Sequence, residues 1–259
     1  MRPDGNGPTY YTDLATWAPF FKWGCPVLTY HKLGPVPRGV RLKGLYLSEK
    51  LFEHQLAELA AAGYVSGTLE CATNVKPRAK EIIITFDDGF QSVIERALQP
   101  LERHQFRAVQ FLVAGKLGGI NEWDVAVGEK PESLMDAAAV RDWLAAGHAI
   151  GSHTLTHPRL TQLSQSAARE EIFASRKRLE DEFAIAVPHF CYPFGDWNER
   201  VRDLVMEAGY QTACTTIPGV NTARTNPFEI ERFTARYASR NWKWLRDRFR
   251  RVFLPRSQN

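Results

Sequence analysis

The feature that most constrains this fold is an alternation of short apolar runs with longer amphipathic stretches. Six runs of three to six residues are rich in apolar and β-branched residues, as are strands buried on both faces of a parallel sheet. They cover residues 26–30, 82–86, 108–113, 148–152, 190–192 and 210–215. Alternation of this kind predicts an α/β fold. It favours a closed or nearly closed (β/α) barrel, with a doubly wound open sheet as the alternative.

Helical periodicity fills the segments between these runs. Phe52, Leu56 and Leu59 share one face of a predicted helix that stops at Gly63. Further helices are predicted over residues 136–146, 164–183 and 201–208. No GxGxxG follows a strand, which disfavours a dinucleotide-binding version of the open sheet.

Composition excludes wholesale disorder, because 44% of the 259 residues are hydrophobic. The four cysteines form no CxxC pair and are predicted to be reduced thiols. The first residues contain no apolar leader pattern, and no run of 18 apolar residues occurs, so we expect a cytoplasmic location.

Positive charge is concentrated at the C-terminal end of the chain. Residues 236–259 contain eight basic side chains and one acidic one, although the whole chain has a net charge of only +4. Residues 240–254 have the pattern of a basic amphipathic helix, which either packs on the barrel or lies on the inner, anionic face of a membrane. No nucleic-acid-binding module is recognised, so no nucleic-acid partner is expected. The predicted organisation is an N-terminal extension (1–24), one barrel domain (25–235) and this tail (236–259).

Ionisable residues stand where the predicted strands end. His31 follows the first run, Asp87 and Asp88 follow the second, and His153 follows the fourth. The carboxyl ends of parallel barrel strands share one rim, which is where such folds build active sites. The sequence therefore predicts that these groups meet at one mouth.

Two of these elements have the composition of a metal site. In Asp87-Asp88-Gly89, one carboxylate can bind a metal while the other stays free as a base, although an Asp there can also cap the next helix. His153 and His157 are four residues apart, and Pro158 favours a loop at His157. Two His and one Asp leave open positions, as a catalytic Zn²⁺ site requires. The same set suits an Fe(II) oxygenase, and structural histidines are the third alternative.

Three motifs in this order resemble the NodB-homology polysaccharide deacetylases, which are carbohydrate esterases. They are TFDDG (85–89), HTLTH (153–157) and YPFG (192–195), and the resemblance extends over about residues 25–235. The early YH element at 30–31 resembles the poly-N-acetylglucosamine deacetylase branch. The resemblance implies a distorted (β/α) barrel of about seven parallel strands in a single domain.

The resemblance also implies roles for individual residues. Asp88, His153 and His157 would hold one divalent metal, with Zn²⁺ as the first choice and Co²⁺, Ni²⁺ or Fe²⁺ as alternatives. Asp87 would be the general base that takes a proton from water. The remaining predicted oxyanion or substrate contacts are Phe194 through its backbone N–H, its motif neighbours Tyr192 and Pro193, and Trp123, which can stack on a sugar or anchor its own loop.

The chain departs from the family pattern at two places. The family's third motif usually carries an arginine that orients the catalytic aspartate, and Cys191 occupies that position here. Arg232 is our predicted replacement, with a structural ion pair as the alternative. The family's general acid is usually a late histidine, but no histidine follows His189 here. The resemblance to the branch with an early YH element implies that His31 takes this role, with a structural histidine at the rim as the alternative.

The predicted function is metal-dependent hydrolysis of an acetamide on an N-acetylated sugar, in a polysaccharide, an oligosaccharide or a lipid-linked glycan intermediate. The alternatives are an O-acetyl esterase, a non-sugar amidase, and a catalytically inactive saccharide-binding protein.

Overall fold

A curled sheet of parallel strands forms the centre of the molecule. The structure is a computed structural model, and it describes residues 10–73 and 80–236. The strands of the described residues are β1 (Tyr10–Tyr11), β2 (Cys25–Tyr30), β3 (Lys32–Leu33), β4 (Tyr46–Leu47), β5 (Val65–Ser66), β6 (Glu81–Phe86), β7 (Ala108–Leu112), β8 (Ala149–Ser152), β9 (His189–Cys191), β10 (Thr212–Cys214), β11 (Val220–Asn221) and β12 (Phe233–Ala235). The α-helices are α1 (Leu14–Phe21), α2 (Glu49–Ala61), α3 (Gln91–Arg103), α4 (Glu122–Val125), α5 (Ala137–Ala145), α6 (Gln165–Phe183) and α7 (Glu199–Glu207). Short 3₁₀ turns cover Lys43–Leu45, Leu69–Thr73, Ala114–Lys116, Leu160–Gln162 and Pro193–Gly195. All six runs predicted as strands are strands.

The main sheet has the strand order β1-β12-β2-β6-β7-β8-β9-β10, and every neighbouring pair in it is parallel. Within the described residues this path holds eight strands, because Tyr10–Tyr11 adds a short edge strand beside β12 to the predicted set of about seven. β5 pairs with β6, β11 runs antiparallel to β2, and β3 and β4 form a separate small sheet. The predicted parallel α/β architecture is confirmed.

The segment that leads into β12 draws the two sides of the sheet together. The Ile230 N–H donates to the Ala213 carbonyl (2.9 Å), and the Thr215 N–H donates to the Ile230 carbonyl (2.9 Å), so this segment lies beside β10. A few residues later β12 pairs with β2. The sheet is thus curled into the distorted barrel that was predicted, and not into the doubly wound alternative.

The strands bury both of their faces, but in two different clusters. On β6, Ile82 and Ile84 belong to the large cluster under the helices, whereas Ile83 belongs to a smaller interior cluster. Because side chains alternate along a strand, Thr85 and Asp87 continue the interior face of Ile83. The catalytic candidate Asp87 therefore points into the curl of the sheet.

The N-terminal segment packs onto this sheet through the buried side chains of Trp17 and Phe21 on α1. The domain boundaries at residues 24 and 235 stay predictions. The basic segment 240–254 lies outside the described residues, and no helix among those described has the length and apolar character needed to cross a membrane. The four cysteines are free thiols, as expected.

Candidate active site

The ionisable residues predicted to share a rim do so. Asp87 directly follows β6, and its N–H donates to the carbonyl of Tyr30 at the end of β2 (2.9 Å). His153 directly follows β8, and its N–H donates to the Leu112 carbonyl at the end of β7 (2.8 Å). Each side chain is therefore fixed to the end of the neighbouring strand.

Asp88, His153 and His157 converge to form a buried cluster. The Oδ1 atom of Asp88 lies 3.4 Å from Nε2 of His153 and 3.2 Å from Nε2 of His157. A sharp turn at Asp88 and Gly89, with φ of 74° and 80°, directs this carboxylate away from Asp87. Helix α3 begins at Gln91 with Phe90 as its N-cap, so neither aspartate caps it. The predicted ligands are thus together, and the helix-cap alternative is not supported.

The hydrogen bonds of this cluster fit a divalent metal. Nδ1 of His153 lies 2.8 Å from the carbonyl of Cys191, which can only accept, so Nδ1 carries the proton. In the neutral ring the lone pair is then on Nε2, which faces Asp88, as in a metal-ligating histidine with a backbone partner. Burial opposes ionisation of Asp88, but when no metal is bound, protonated Nε2 atoms of the two histidines donate to Asp88 and lower its pKa well below the usual value. A metal ion would take the place of these protons. One anionic oxygen and two imidazole nitrogens are therefore available as ligands.

Asp87 is held by Arg232 and not by the metal cluster. Nη1 and Nη2 of Arg232 each donate to one carboxylate oxygen of Asp87 at 2.8 Å, and both side chains are buried. Burial alone would raise the pKa of Asp87, but the charge of Arg232 and these hydrogen bonds outweigh it and lower the pKa to about 2. Asp87 is therefore ionised at neutral pH, with its orientation fixed by a two-point contact.

Cys191 shares this pocket as a thiol. Its Sγ lies 3.6 Å from Asp87 Oδ2 and 3.0 Å from Arg232 Nη2. Burial raises the pKa of Cys191 to about 11. Asp87, His153 and Cys191 are close enough to form a second metal-ligand set, but a neutral thiol beside a guanidinium makes that set unsuitable.

His31 lies on the outer side of the Asp87 carboxylate. Its Nε2 is 3.9 Å from Asp87 Oδ2, and 18% of its side chain is exposed. It is therefore at the mouth and accessible, as a group that donates a proton to a leaving amine must be.

Two aromatic rings enclose the ring of His157. Trp123 on α4 stacks on it with centroids 4.4 Å apart, and the Phe194 ring meets it edge-on at 4.6 Å. Phe194 is 46% exposed and has a left-handed φ of 59°. Both predicted contact residues thus form walls of the mouth.

The prediction for Tyr192 and Pro193 does not fit the structure. Tyr192 is completely buried, and its hydroxyl donates to the carbonyl of Phe228 at 3.0 Å. Pro193 is buried as well. In this motif only the ring of Phe194 is exposed, so only its side chain is open to a substrate in this structure.

Comparison with known proteins now decides the family. Residues 74–213, more than half of the chain, match the family model described as polysaccharide deacetylase. The chain belongs to the polysaccharide deacetylase family. Over 212 residues it is 26% identical to YxkH of Bacillus subtilis, which corresponds to 80% of this chain and 70% of that protein. The family assignment confirms the predicted enzyme class, a hydrolase of acetylated sugars.

Two further relatives agree with this assignment. The chain is 23% identical to a poly-beta-1,6-N-acetyl-D-glucosamine N-deacetylase of Staphylococcus aureus, over 74% of this chain and 68% of that protein. A crystal structure of a polysaccharide deacetylase from Bacillus cereus matches with a TM-score of 0.71 and 25% identity, covering 83% of this chain and 66% of that one. The family and the fold thus agree with the three motifs.

Lys32 is a residue near the site that the sequence did not single out. Its buried Nζ lies 3.5 Å from Asp124 Oδ2 and 3.4 Å from Glu132 Oε1, and it stands 4.3 Å over the ring of Phe90. Asp124 follows Trp123 on α4, so this buried cation fixes the turn that places Trp123 against His157. In the sequence, a lysine directly after His31 is indistinguishable from an ordinary surface charge, and no local pattern predicts its partners.

Glu171 on α6 was also missed, although it holds the loop between the two histidines. Its carboxylate accepts the N–H groups of Leu155 (2.9 Å) and Thr156 (2.8 Å) and the hydroxyl of Thr156 (2.6 Å). Thr154 and His157 in this loop have left-handed φ values of 69° and 68°. Such strained positions persist only where surrounding contacts hold them. Glu171 therefore positions the loop that carries the candidate metal ligands His153 and His157.

Replacing this carboxylate, in Glu171→Gln, is expected to weaken Zn²⁺ binding by about tenfold, at the low end of what outer contacts of metal ligands contribute. The amide can accept on one oxygen only, so part of the clamp is lost. Isothermal titration calorimetry measures the affinity, with Glu170→Gln as the control, because Glu170 is its exposed neighbour. An unchanged affinity in Glu171→Gln contradicts the positioning role.

Proposed function

We propose that this chain removes the acetyl group from an N-acetylated sugar and that it needs one divalent metal, Zn²⁺ as first choice, held by Asp88, His153 and His157. The observation that carries the proposal is the convergence of this cluster with the Asp87–Arg232 pair at one rim. The cluster leaves open positions, and the ion pair supplies a fixed carboxylate that is not a ligand. A hydrolytic site needs both.

Each residue of the chain has a separate part in this reaction. A bound divalent metal supplies positive charge that acidifies an attacking water and polarises the acetamide carbonyl. Arg232 keeps Asp87 ionised, so its carboxylate can take a proton from a water that a bound metal would acidify.

The other groups act on the acyl oxygen and on the leaving amine. The backbone N–H of Phe194 would donate to the oxyanion. His31 gives a proton to the amine, which otherwise leaves as an unstable anion. Trp123 and Phe194 form apolar walls on either side of His157 and orient the sugar.

Acetate release from metal-depleted protein that is reloaded with Zn²⁺, Co²⁺, Ni²⁺ or Fe²⁺ tests the proposal. The substrates are N-acetylglucosamine oligomers, O-acetylated sugars and simple acetamides. We expect acetate from the N-acetylated sugars, loss on chelation and recovery with metal. Release from O-acetyl groups alone indicates an esterase, and release from simple acetamides alone indicates a non-sugar amidase. Metal and sugar binding without any turnover indicates an inactive saccharide-binding protein. The cytoplasmic location and the membrane contact of residues 240–254 stay predictions.

His31→Gln is expected to lower kcat on the acetamide by about 10²-fold, since a positioned general acid contributes at least that much. An aryl acetate, whose phenolate leaves without a proton, is expected to react at nearly the wild-type rate. Parallel assays on both substrates measure the difference, with His54→Gln on the exposed face of α2 as the control. Equal losses on both substrates assign His31 to positioning Asp87 and refute the general-acid role.

A further inference from the structure

An arginine at the mouth of the site has a charge that the described residues leave uncompensated. Arg159 follows the ligand loop directly and is exposed. Its Cζ lies 4.3 Å over the ring of Phe194, and that ring lies 4.6 Å from the ring of His157. The guanidinium is therefore close enough to the metal ligands for one sugar residue to contact both.

Some exposed arginines of the described residues have carboxylate partners, whereas others, such as Arg38 and Arg178, have none at ion-pair distance. Arg141 pairs with Glu182 at 2.6 Å, and Arg169 pairs with Glu207 at 2.6 Å. Within residues 10–73 and 80–236, Arg159 has no carboxylate at ion-pair distance. Its guanidinium makes a cation–π contact with the ring of Phe194. An unpaired cation beside a binding site is therefore available to a ligand.

Cζ of Arg159 lies at stacking distance from the Phe194 ring, 4.3 Å from its centroid. A planar guanidinium that stacks on an aromatic ring uses its face and keeps its in-plane N–H donors available. Those donors match a carboxylate or phosphate in a two-point contact. Phe194, with its left-handed backbone and exposed ring, serves as the platform that holds the cation at the rim.

The catalytic carboxylate does not oppose an incoming anion. Asp87 is neutralised by the bidentate contact with Arg232, and both groups are buried. An anionic group on the substrate thus meets the uncompensated charge of Arg159 without facing a free negative charge from Asp87.

We propose that Arg159 is a specificity-determining residue that selects N-acetylated sugars bearing an anionic group, a carboxylate or a phosphate, on the reacting sugar or its neighbour. This inference rests on the proposed deacetylase function. Arg159 acts on binding, and the chemistry of the site does not require it.

Three substrates of equal length test it with the metal-loaded, full-length protein. They are a neutral N-acetylglucosamine oligomer, the same oligomer with a terminal phosphate, and a hyaluronan oligosaccharide, in which a carboxylate lies on the neighbouring sugar. Arg159→Gln is expected to lower kcat/KM about tenfold or more on one or both charged substrates, mainly through KM, and to leave the neutral one unchanged. The phosphate and carboxylate arms show which anion is recognised. Arg169→Gln is the matched control, because Arg169 also stacks on a phenylalanine, at 4.0 Å from the Phe173 ring, but on helix α6.

Calorimetric binding of the same oligosaccharides separates this inference from the proposed function. The inference is supported if a charged oligosaccharide binds more tightly than the neutral one and this difference is lost in Arg159→Gln. If no acetate is released from any substrate, only the proposed function is refuted. Equal losses on charged and neutral substrates, or no loss on either, overturn the inference.

Discussion

Asp87→Asn is expected to lower kcat by about 10²- to 10⁴-fold, the range that a positioned general base contributes. The proposed metal ligands are Asp88, His153 and His157 and do not include Asp87, so the metal content is expected to stay at one ion per chain. Acetate release at saturating substrate and metal analysis of the same samples check both statements. Retention of wild-type kcat refutes the role of Asp87, and loss of the metal shows that Asp87 is part of the ligand set.

The stability of this variant needs its own control. An amide at residue 87 accepts with one oxygen only and leaves the buried charge of Arg232 without a counter-ion, which destabilises the fold. The double variant Asp87→Asn/Arg232→Met removes both charges and is expected to be more stable than Asp87→Asn while remaining equally inactive. Thermal unfolding of the three proteins then separates the chemical loss from the structural one. Activity that returns together with stability contradicts the assignment of Asp87 as the base.

Much of the fold and the metal cluster could be predicted because their signals are local. The run at 82–86 becomes β6, and its end places Asp87 and Asp88 at the rim whatever the rest of the chain does. The spacing of His153 and His157 brings both imidazoles to one short loop. A strand and the residues that directly follow it are determined within about ten positions of sequence. Motifs of this kind can therefore be recognised without any knowledge of tertiary packing.

What could not be predicted depends on contacts between distant segments. The sequence predicts Arg232 as the partner of Asp87 only as a substitute for the arginine that the family pattern has at residue 191. The path that brings it there, with residues 227–232 beside β10 before β12 joins β2, is revealed by no local pattern. Tyr192 and Phe194 belong to the same motif, but one is buried and the other exposed because φ at Phe194 is left-handed. The clamp from Glu171 arises from the docking of α6 on the ligand loop. In each case tertiary packing, and not residue type, decides the role.

Arg232→Met is expected to have the largest effect on stability, lowering the free energy of unfolding by about 3 to 5 kcal/mol. Besides Asp87, the guanidinium donates to the Thr215 carbonyl (2.9 Å) and to the hydroxyls of Thr29 and Thr85 (3.0 Å each), and all these groups are buried. The melting temperature is expected to fall on the order of 10 °C. Calorimetry or circular dichroism measures the shift, and a fall of a degree or less contradicts the assigned contacts.

The same substitution also changes the pH dependence of catalysis. Without Arg232, burial raises the pKa of Asp87 above its present value of about 2. Because the base works only when ionised, the acid limb of the kcat/KM profile is expected to move to higher pH. A residue that only supports the fold would lower the amplitude of the profile and leave its midpoint in place.

Moving the guanidinium to residue 191 tests whether its position or only its charge at Asp87 matters. The Sγ of Cys191 lies 3.0 Å from Nη2 of Arg232 and 3.6 Å from Asp87 Oδ2, so a side chain at 191 points to the same carboxylate. The family pattern places its arginine at this position. In Arg232→Met/Cys191→Arg we therefore expect stability and the acid limb to return toward the wild type, while Arg232→Met/Cys191→Ala shows no recovery. If the arginine variant recovers no better than the alanine variant, a guanidinium at residue 191 cannot replace Arg232, and the position of Arg232 matters as well as its charge beside Asp87.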